Sequence, residues 1–164
     1  MLRPLQAVGI YPEVTCVLDP SAIIALHFAH ATTSGHLCYA AGVCKSVIEE
    51  WTGPKTLIEP VFGSSVLHMA IGLTYAEVIH LVGADFCYVG RQSHATGVVT
   101  RYDVGRKHCT TEVNGYGETV LTDRDLLHYR RELEAWILST GPSVRVIKHG
   151  RGGLPVVGAE WADD

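Results

Sequence analysis

The chain has 164 residues, 47% of them hydrophobic and 18% charged, enough for one compact domain and too apolar for intrinsic disorder. Its most apolar stretch, Val61 to Gly90, is broken by Gly63, His68, Gly72, Glu77, His80, Gly83 and Asp85, so no run approaches the ~20 apolar residues of a membrane span. A formal net charge of −4 gives no pull toward nucleic acid or an anionic membrane surface.

The elements follow from the pattern in chain order. Ile10-Tyr11-Pro12 reads as a turn, because Pro12 disfavours helix at Tyr11. Glu13 to Leu18 is short, β-branched and apolar, and predicts a buried strand. Asp19-Pro20 opens a helix to about His30, with Asp as the cap and Pro tolerated at the first helical position. Leu37 to Ala40 predicts a second strand. Lys45 to Trp51 predicts a short helix stopped by Gly53-Pro54, and Lys55 to Ile58 a third strand. Gly63-Ser64-Ser65 precedes a helix to about Tyr75. Glu77 to Val82 is the clearest strand, ending in Gly83-Ala84-Asp85. Residues 86–121 read as loop or irregular β, with a hairpin over Thr111 to Leu121 around Asn114-Gly115, a dipeptide suited to a primed turn. Thr122-Asp123-Arg124-Asp125 resembles a capping box with Asp at its last position. Behind it Leu126, Tyr129, Leu133, Trp136 and Ile137 recur at helical spacing, giving an amphipathic helix over about 123–139. Gly141-Pro142 ends it. Val144 to Ile147 is a last strand, and 150–158 is a glycine-rich tail. Strands alternating with helices predict a single α/β domain over 1–164, with a mainly parallel sheet, helices on both faces and no internal repeat.

Ligands of open parallel sheets bind outside the carboxyl ends of the strands. That rule selects four places. Asp19 follows the first strand, where it serves as a helix cap or as a ligand group. Gly63, Ser64 and Ser65 either cap the central helix or offer backbone N–H groups to a phosphate; the G-x-x-x-x-G-K pattern of a P-loop is absent. Asp85 ends the clearest strand, placed to hold a ribose hydroxyl, a metal or an acceptor, unless it is an ordinary loop carboxylate. His94 lies in the polar loop beyond it, a general acid or base or an ordinary loop histidine. His27, His68 and His80 fall within apolar elements and are expected to be core or half-buried. No H-x-x-x-H pair occurs, so a zinc site is not expected. Cys16, Cys38, Cys44, Cys87 and Cys109 are odd in number and lack C-x-x-C spacing. That predicts free thiols in a reducing cytosol, with Cys16 and Cys38 buried. The segment MLRPLQAVGIYPEV lacks the apolar core and cleavage site of a signal peptide, so a cytoplasmic location is expected.

Four segments together carry a resemblance: GIYPEVTCVLDP, VFGSSVLHMAIGLTYAEVIHLVGADFCYVGRQSHATG, VNGYGETVLTDRDLLHYRRELEAWI and VIKHGRGGLPVVGAEW. In order and spacing they resemble the motility-associated factor (Maf) family, linked to flagellin glycosylation. That family shares a domain with archaeal 6-hydroxymethylpterin diphosphokinase (the MptE-like domain) and is similar in fold to bacterial sialyltransferases. The resemblance implies a Rossmann-like sheet and a nucleotide-activated donor. For a Maf-like protein this is a CMP-activated nonulosonic sugar passed to a protein Ser or Thr hydroxyl, as in flagellin. For a pterin-kinase-like protein it is ATP giving up a diphosphate, and Mg²⁺ is a possible companion of either. Gly63-Ser64-Ser65 then matches the small-residue turn near the nucleotide, Asp85 the acidic residue after the next strand, His94 the histidine of an "sHa.G" segment, and Asn114 and Gly115 a substrate-side "v.G..G" segment.

The chain departs from the family pattern in three places. A first strand with its G-x-G-P-S-L turn has no counterpart here. Gly83-Ala84-Asp85-Phe86-Cys87 stands where G-Q-D-L-A is common, and Arg151 where an acidic residue often precedes the paired glycines. The missing unit motivates a contrasting reading, a non-catalytic domain with an interaction role. It also predicts self-association into a homo-oligomer through a strand edge left unpaired.

Overall fold

The computed structural model describes residues 2–58, 77–93, 103–105, 109–140 (residue 140 by its backbone alone) and 144–162. Gly63, Ser64, Ser65, His68, the helix expected to follow them and His94 lie outside the described residues. The described chain falls into two compact units, one containing residues 2–58 and the other the remainder.

The first unit is a β-α-β-α-β run preceded by a helix. Helix α1 (Leu2–Ala7) leads to β1 (Val14–Val17), α2 (Ile24–Phe28), β2 (His36–Tyr39), α3 (Lys45–Glu50) and β3 (Lys55–Leu57). The strands lie in the order β1-β2-β3, all parallel, with Cys16 opposite Cys38 and Cys38 opposite Thr56. Leu2, Val17, Leu37, Ala40, Val43, Val47 and Trp51 form the core. Trp51 donates its indole N–H to the Gly35 carbonyl at 2.7 Å and meets Phe28 edge-on at 5.9 Å.

Two expectations change here. The helix expected to start at Asp19-Pro20 begins only at Ile24, because the Asp19 carboxylate accepts the Ser21 N–H at 2.8 Å and closes an Asx turn instead of capping a helix. It ends early, with His30 in the left-handed region at φ 61°. Helix α1 had no counterpart in the sequence reading. It is held from outside, by the Gln6 amide bonding both the N–H and the C=O of Thr32. Cys38 is buried while Cys16 is only half-buried, and all five cysteines are free thiols. Burial, with the Cys38 thiol beside it, pushes the Cys16 pKa up to about 11.

The second unit holds a parallel sheet in the order β4-β7-β8 and a separate antiparallel hairpin, β5-β6. Strand β4 is Val78–Leu81, β5 Thr110–Val113, β6 Thr119–Thr122, β7 Arg145–Lys148 and β8 Glu160–Trp161. The long helix, α4, runs Arg124–Thr140 and buries Leu133 and Ile137. Its cap is Asp123, whose carboxylate accepts the Leu126 N–H at 2.9 Å. Thr122 is therefore not the first residue of a capping box; fully buried, it donates its hydroxyl to the Phe86 carbonyl at 2.7 Å. Tyr129, expected on the apolar stripe, is exposed. The hairpin exists, but its connection is the five residues 114–118 rather than a two-residue primed turn, with the positive φ at Gly117.

Mixed α/β structure with parallel sheets therefore agrees with the Rossmann-like expectation. Among the described residues no helix is long and apolar enough to cross a membrane.

Candidate functional site

The site of interest is the carboxyl edge of the β4-β7-β8 sheet. Strand parity builds it. In β7 alternate side chains face opposite ways, so Val146 and Lys148 share the buried face while Arg145 and Ile147 share the other. Lys148, the last residue of β7, stands in register with Leu81, the last of β4, and Trp161, the last of β8. The three strand ends therefore lie side by side at the edge where parallel sheets bind ligands.

Asp85 reaches this edge four residues after β4. Its carbonyl accepts the Leu154 N–H at 2.8 Å. The next residues are pinned as well: Thr122 bonds the Phe86 carbonyl, Cys87 Sγ approaches the Gly152 carbonyl at 3.6 Å, and Tyr88 N–H meets Leu121 C=O at 2.8 Å. The Tyr88 hydroxyl also donates to Asp123. Phe86 is held at φ 53°, a conformation that costs a bulky L-residue about 1–2 kcal/mol and persists only where the surroundings impose it. The loop after β4 is thus fixed, and Asp85 with it.

Gly153 shows how close the groups come. A Cβ on Gly153 would lie 2.8 Å from Asp85 Oδ1, 2.8 Å from Asp85 Cα and 2.8 Å from Lys148 Nζ. The carboxylate and the ammonium thus face a single point and are separated by no more than twice that distance. Lys148 is 2% exposed, and its Nζ has no hydrogen-bond partner among the described residues. Nζ lies 5.3 Å from the Trp161 ring centre, and the Arg151 guanidinium carbon 5.6 Å from it. Burial raises the Asp85 pKa, with the Lys148 charge pulling it back. Burial lowers the Lys148 pKa, opposed by Asp85 and Cys87. The Cys87 thiol is pushed up to about 11 by burial and by Asp85.

The hairpin loop closes on the same place. Gly115 N–H donates to the Gly153 carbonyl at 3.1 Å, and a Cβ there would sit 2.6 Å from the Trp161 ring. Buried Asn114 accepts the N–H groups of Tyr116 (3.0 Å) and Glu118 (2.9 Å). Its amide N–H₂ donates to Glu118 Oε2 (3.0 Å) and Gly152 C=O (3.4 Å). Those four bonds fill the hydrogen-bonding capacity of the amide. Asn114 orders the loop rather than reaching outward.

Asp85, Asn114 and Gly115 are thus brought together around Gly152-Gly153. Asp19 lies in the other unit, on the rim of an apolar cavity of about 380 Å³ that also borders β1. His80, expected to be core or half-buried, is exposed, and its Nδ1 lies 2.9 Å from His149 Nε2. Lys148 and Trp161 escaped the sequence reading, and Cys87 and Arg151 entered it only as a free thiol and as a departure from the family pattern. The one signal for Lys148 was its parity with Val146 in an apolar strand. As for Mg²⁺, no cluster of three His, Cys, Asp or Glu gathers among the described residues. The carboxylate here sits beside cations, so a resident hard cation does not fit this donor set.

No protein-family model matches the chain, and no curated protein matches it. Among solved structures it is similar to the Maf glycosyltransferase from Magnetospirillum magneticum AMB-1. The TM-score is 0.68 at 17% identity, covering 98% of this chain and 28% of that one. The resemblance carried by the sequence segments is therefore matched at the level of the fold: nearly the whole of this chain has the architecture of about a quarter of a Maf glycosyltransferase.

Proposed function

We propose that the chain is a nucleotide-dependent transferase domain that moves a CMP-activated nonulosonic sugar to a Ser or Thr hydroxyl of a protein such as flagellin. Fold alone does not assign chemistry. The observation that carries the reading is a half-buried carboxylate, Asp85, held on a pinned loop at the carboxyl edge of a parallel sheet, in a chain similar in fold to part of a Maf glycosyltransferase.

In this reading Asp85 accepts the hydrogen bond of the acceptor hydroxyl and orients it. Its burial, which raises its pKa, strengthens it as an acceptor. The acceptor oxygen attacks the anomeric carbon of the donor, the bond from that carbon to the phosphate oxygen breaks, and CMP departs with the electron pair. The hydroxyl proton passes to a base, the role the sequence gives to His94. Gly63, Ser64 and Ser65 hold the nucleotide. Mg²⁺ enters only as a companion of the donor phosphates.

The test is a thermal-shift panel of CMP, CDP, ATP and GTP, each with and without Mg²⁺. A ligand at one hundred times its dissociation constant adds ~2.7 kcal/mol of stability. A response to cytidine nucleotides supports the reading. A response to ATP alone shifts it to diphosphate transfer onto a hydroxymethylpterin. No response to any nucleotide leaves the interaction-domain reading.

A further inference from the structure

Lys148 is a buried titratable group that the transfer reading leaves unused. Strand parity puts it on the buried face of β7 with Val146, and pairing with β4 and β8 sets it in register with Leu81 and Trp161. At 2% exposure its side chain is closed off from solvent, so it acts on a substrate only through a neighbour. Asp85 is that neighbour. An ideal Cβ at Gly153 lies 2.8 Å from both Asp85 Oδ1 and Lys148 Nζ, so the two atoms are no farther apart than twice that distance. An opposite charge within ~4–6 Å favours the ionised form of a carboxyl. Neither group is free to drift, since Lys148 ends a paired strand and the Asp85 carbonyl is tied to the Leu154 N–H.

The other titratable groups around this edge have partners of their own. Glu118 accepts from the Asn114 amide, Glu160 pairs with Arg145, His149 bonds His80, and Asp123 accepts from the Tyr88 hydroxyl. Arg151 lies against the Trp161 ring. The Cys87 thiol, pushed up to about 11, is uncharged at neutral pH. Burial favours the neutral carboxyl at Asp85, and the Lys148 charge opposes it. The difference matters to the chemistry, because an ionised carboxyl only accepts hydrogen bonds while a neutral one also donates its own proton.

We infer that Lys148 is a positioning residue for Asp85: its buried charge, fixed at the end of β7, holds the carboxylate in the ionised, hydrogen-bond-accepting form at the sheet edge. Its part in transfer rests on the reading of Asp85 given above. Lys148 touches no substrate in this role.

The experiment titrates the full chain by carboxyl-carbon and side-chain-nitrogen NMR, alongside the pH profile of kcat/KM for sugar transfer. Lys148→Met removes the charge at similar volume. The Asp85 carboxyl should then titrate at higher pH than in wild type. The acid limb of the kcat/KM profile should move up with it, and the rate should recover toward wild type as pH rises past the new midpoint. The coupling is reciprocal, so in Asp85→Asn the Lys148 ammonium should lose its proton at lower pH than in wild type; this arm stands even if Lys148→Met fails to fold. Unmoved midpoints in the variants overturn the inference, as does a rate lowered equally at every pH while Asp85 titrates as before. Shifted midpoints with no sugar transfer by wild type keep the pairing of Lys148 with Asp85 and overturn the transfer reading.

Discussion

Gly153→Ala perturbs the point on which the candidate site is built. The added methyl would sit 2.8 Å from the Asp85 backbone Cα, and equally close to Asp85 Oδ1 and Lys148 Nζ. The two side-chain atoms could swing away, but the Cα belongs to a loop tied through Leu154, Thr122 and Tyr88. Forcing a methyl into such a space costs about 1–3 kcal/mol. Gly153 is not in the left-handed region, so alanine also narrows the unfolded ensemble and returns about 0.4–1 kcal/mol. The net loss is about 1–2 kcal/mol, or roughly 2–8 °C in midpoint for a chain of this length. Thermal unfolding followed by circular dichroism measures it. Gly105→Ala is the internal control, since a Cβ there meets nothing within 4 Å and its φ is ordinary; it should unfold at or slightly above the wild-type temperature. If Gly153→Ala behaves like Gly105→Ala, then Asp85 and Lys148 do not converge beneath the turn.

Other consequences follow from the same contacts. Asp85 has a raised pKa in the folded chain, so its contribution to stability is present below the unfolded carboxyl value and lost as pH rises through the folded one. Asp85→Asn should therefore gain stability relative to wild type near neutral pH, with the gap closing as the pH falls into the ordinary carboxyl range; a gap that widens on acidification contradicts the assignment. Asn114→Ala removes four hydrogen bonds from a buried loop, and denaturant unfolding should show a loss of about 2–4 kcal/mol; a loss under 1 kcal/mol would mean that the loop orders itself without the amide. Strand β1 is an edge of its described sheet, with Val14 52% exposed beside an apolar cavity. Self-association through that edge predicts a dimer by light scattering at high micromolar concentration, reduced to monomer by Val14→Lys; a wild-type monomer removes the idea.

The sequence located strands well where the signal was a short β-branched run bounded by Gly, Pro or Asp. The strands expected at Glu13–Leu18, Leu37–Ala40, Glu77–Val82 and Val144–Ile147 appear with each end moved by one residue. Helix starts were less legible because a capping side chain has several local partners. Asp19 bonds two residues ahead and delays its helix, while Asp123 takes the capping role from Thr122, whose hydroxyl is drawn to a carbonyl 36 residues away. The site was half-legible for a related reason. Asp85 was marked by its place after a strand, and Asn114-Gly115 by turn chemistry. Lys148 reads as a solvated strand end until the register of three strands buries it, and Trp161 gives no sign until β8 pairs with β7. Long-range packing, not local pattern, assembled those residues.

The central claim is that Asp85 lies at the centre of a nucleotide-dependent transfer. Its most direct measurement is mass spectrometry of a Ser/Thr-bearing acceptor protein incubated with a CMP-activated nonulosonic acid and either wild type or Asp85→Asn. The account predicts one nonulosonic residue added per modified hydroxyl by wild type. It predicts a rate lower by about 10²-fold or more for Asp85→Asn, with CMP affinity unchanged in a parallel titration. Transfer by Asp85→Asn at the wild-type rate, or no mass gain with wild type that binds CMP, would contradict it.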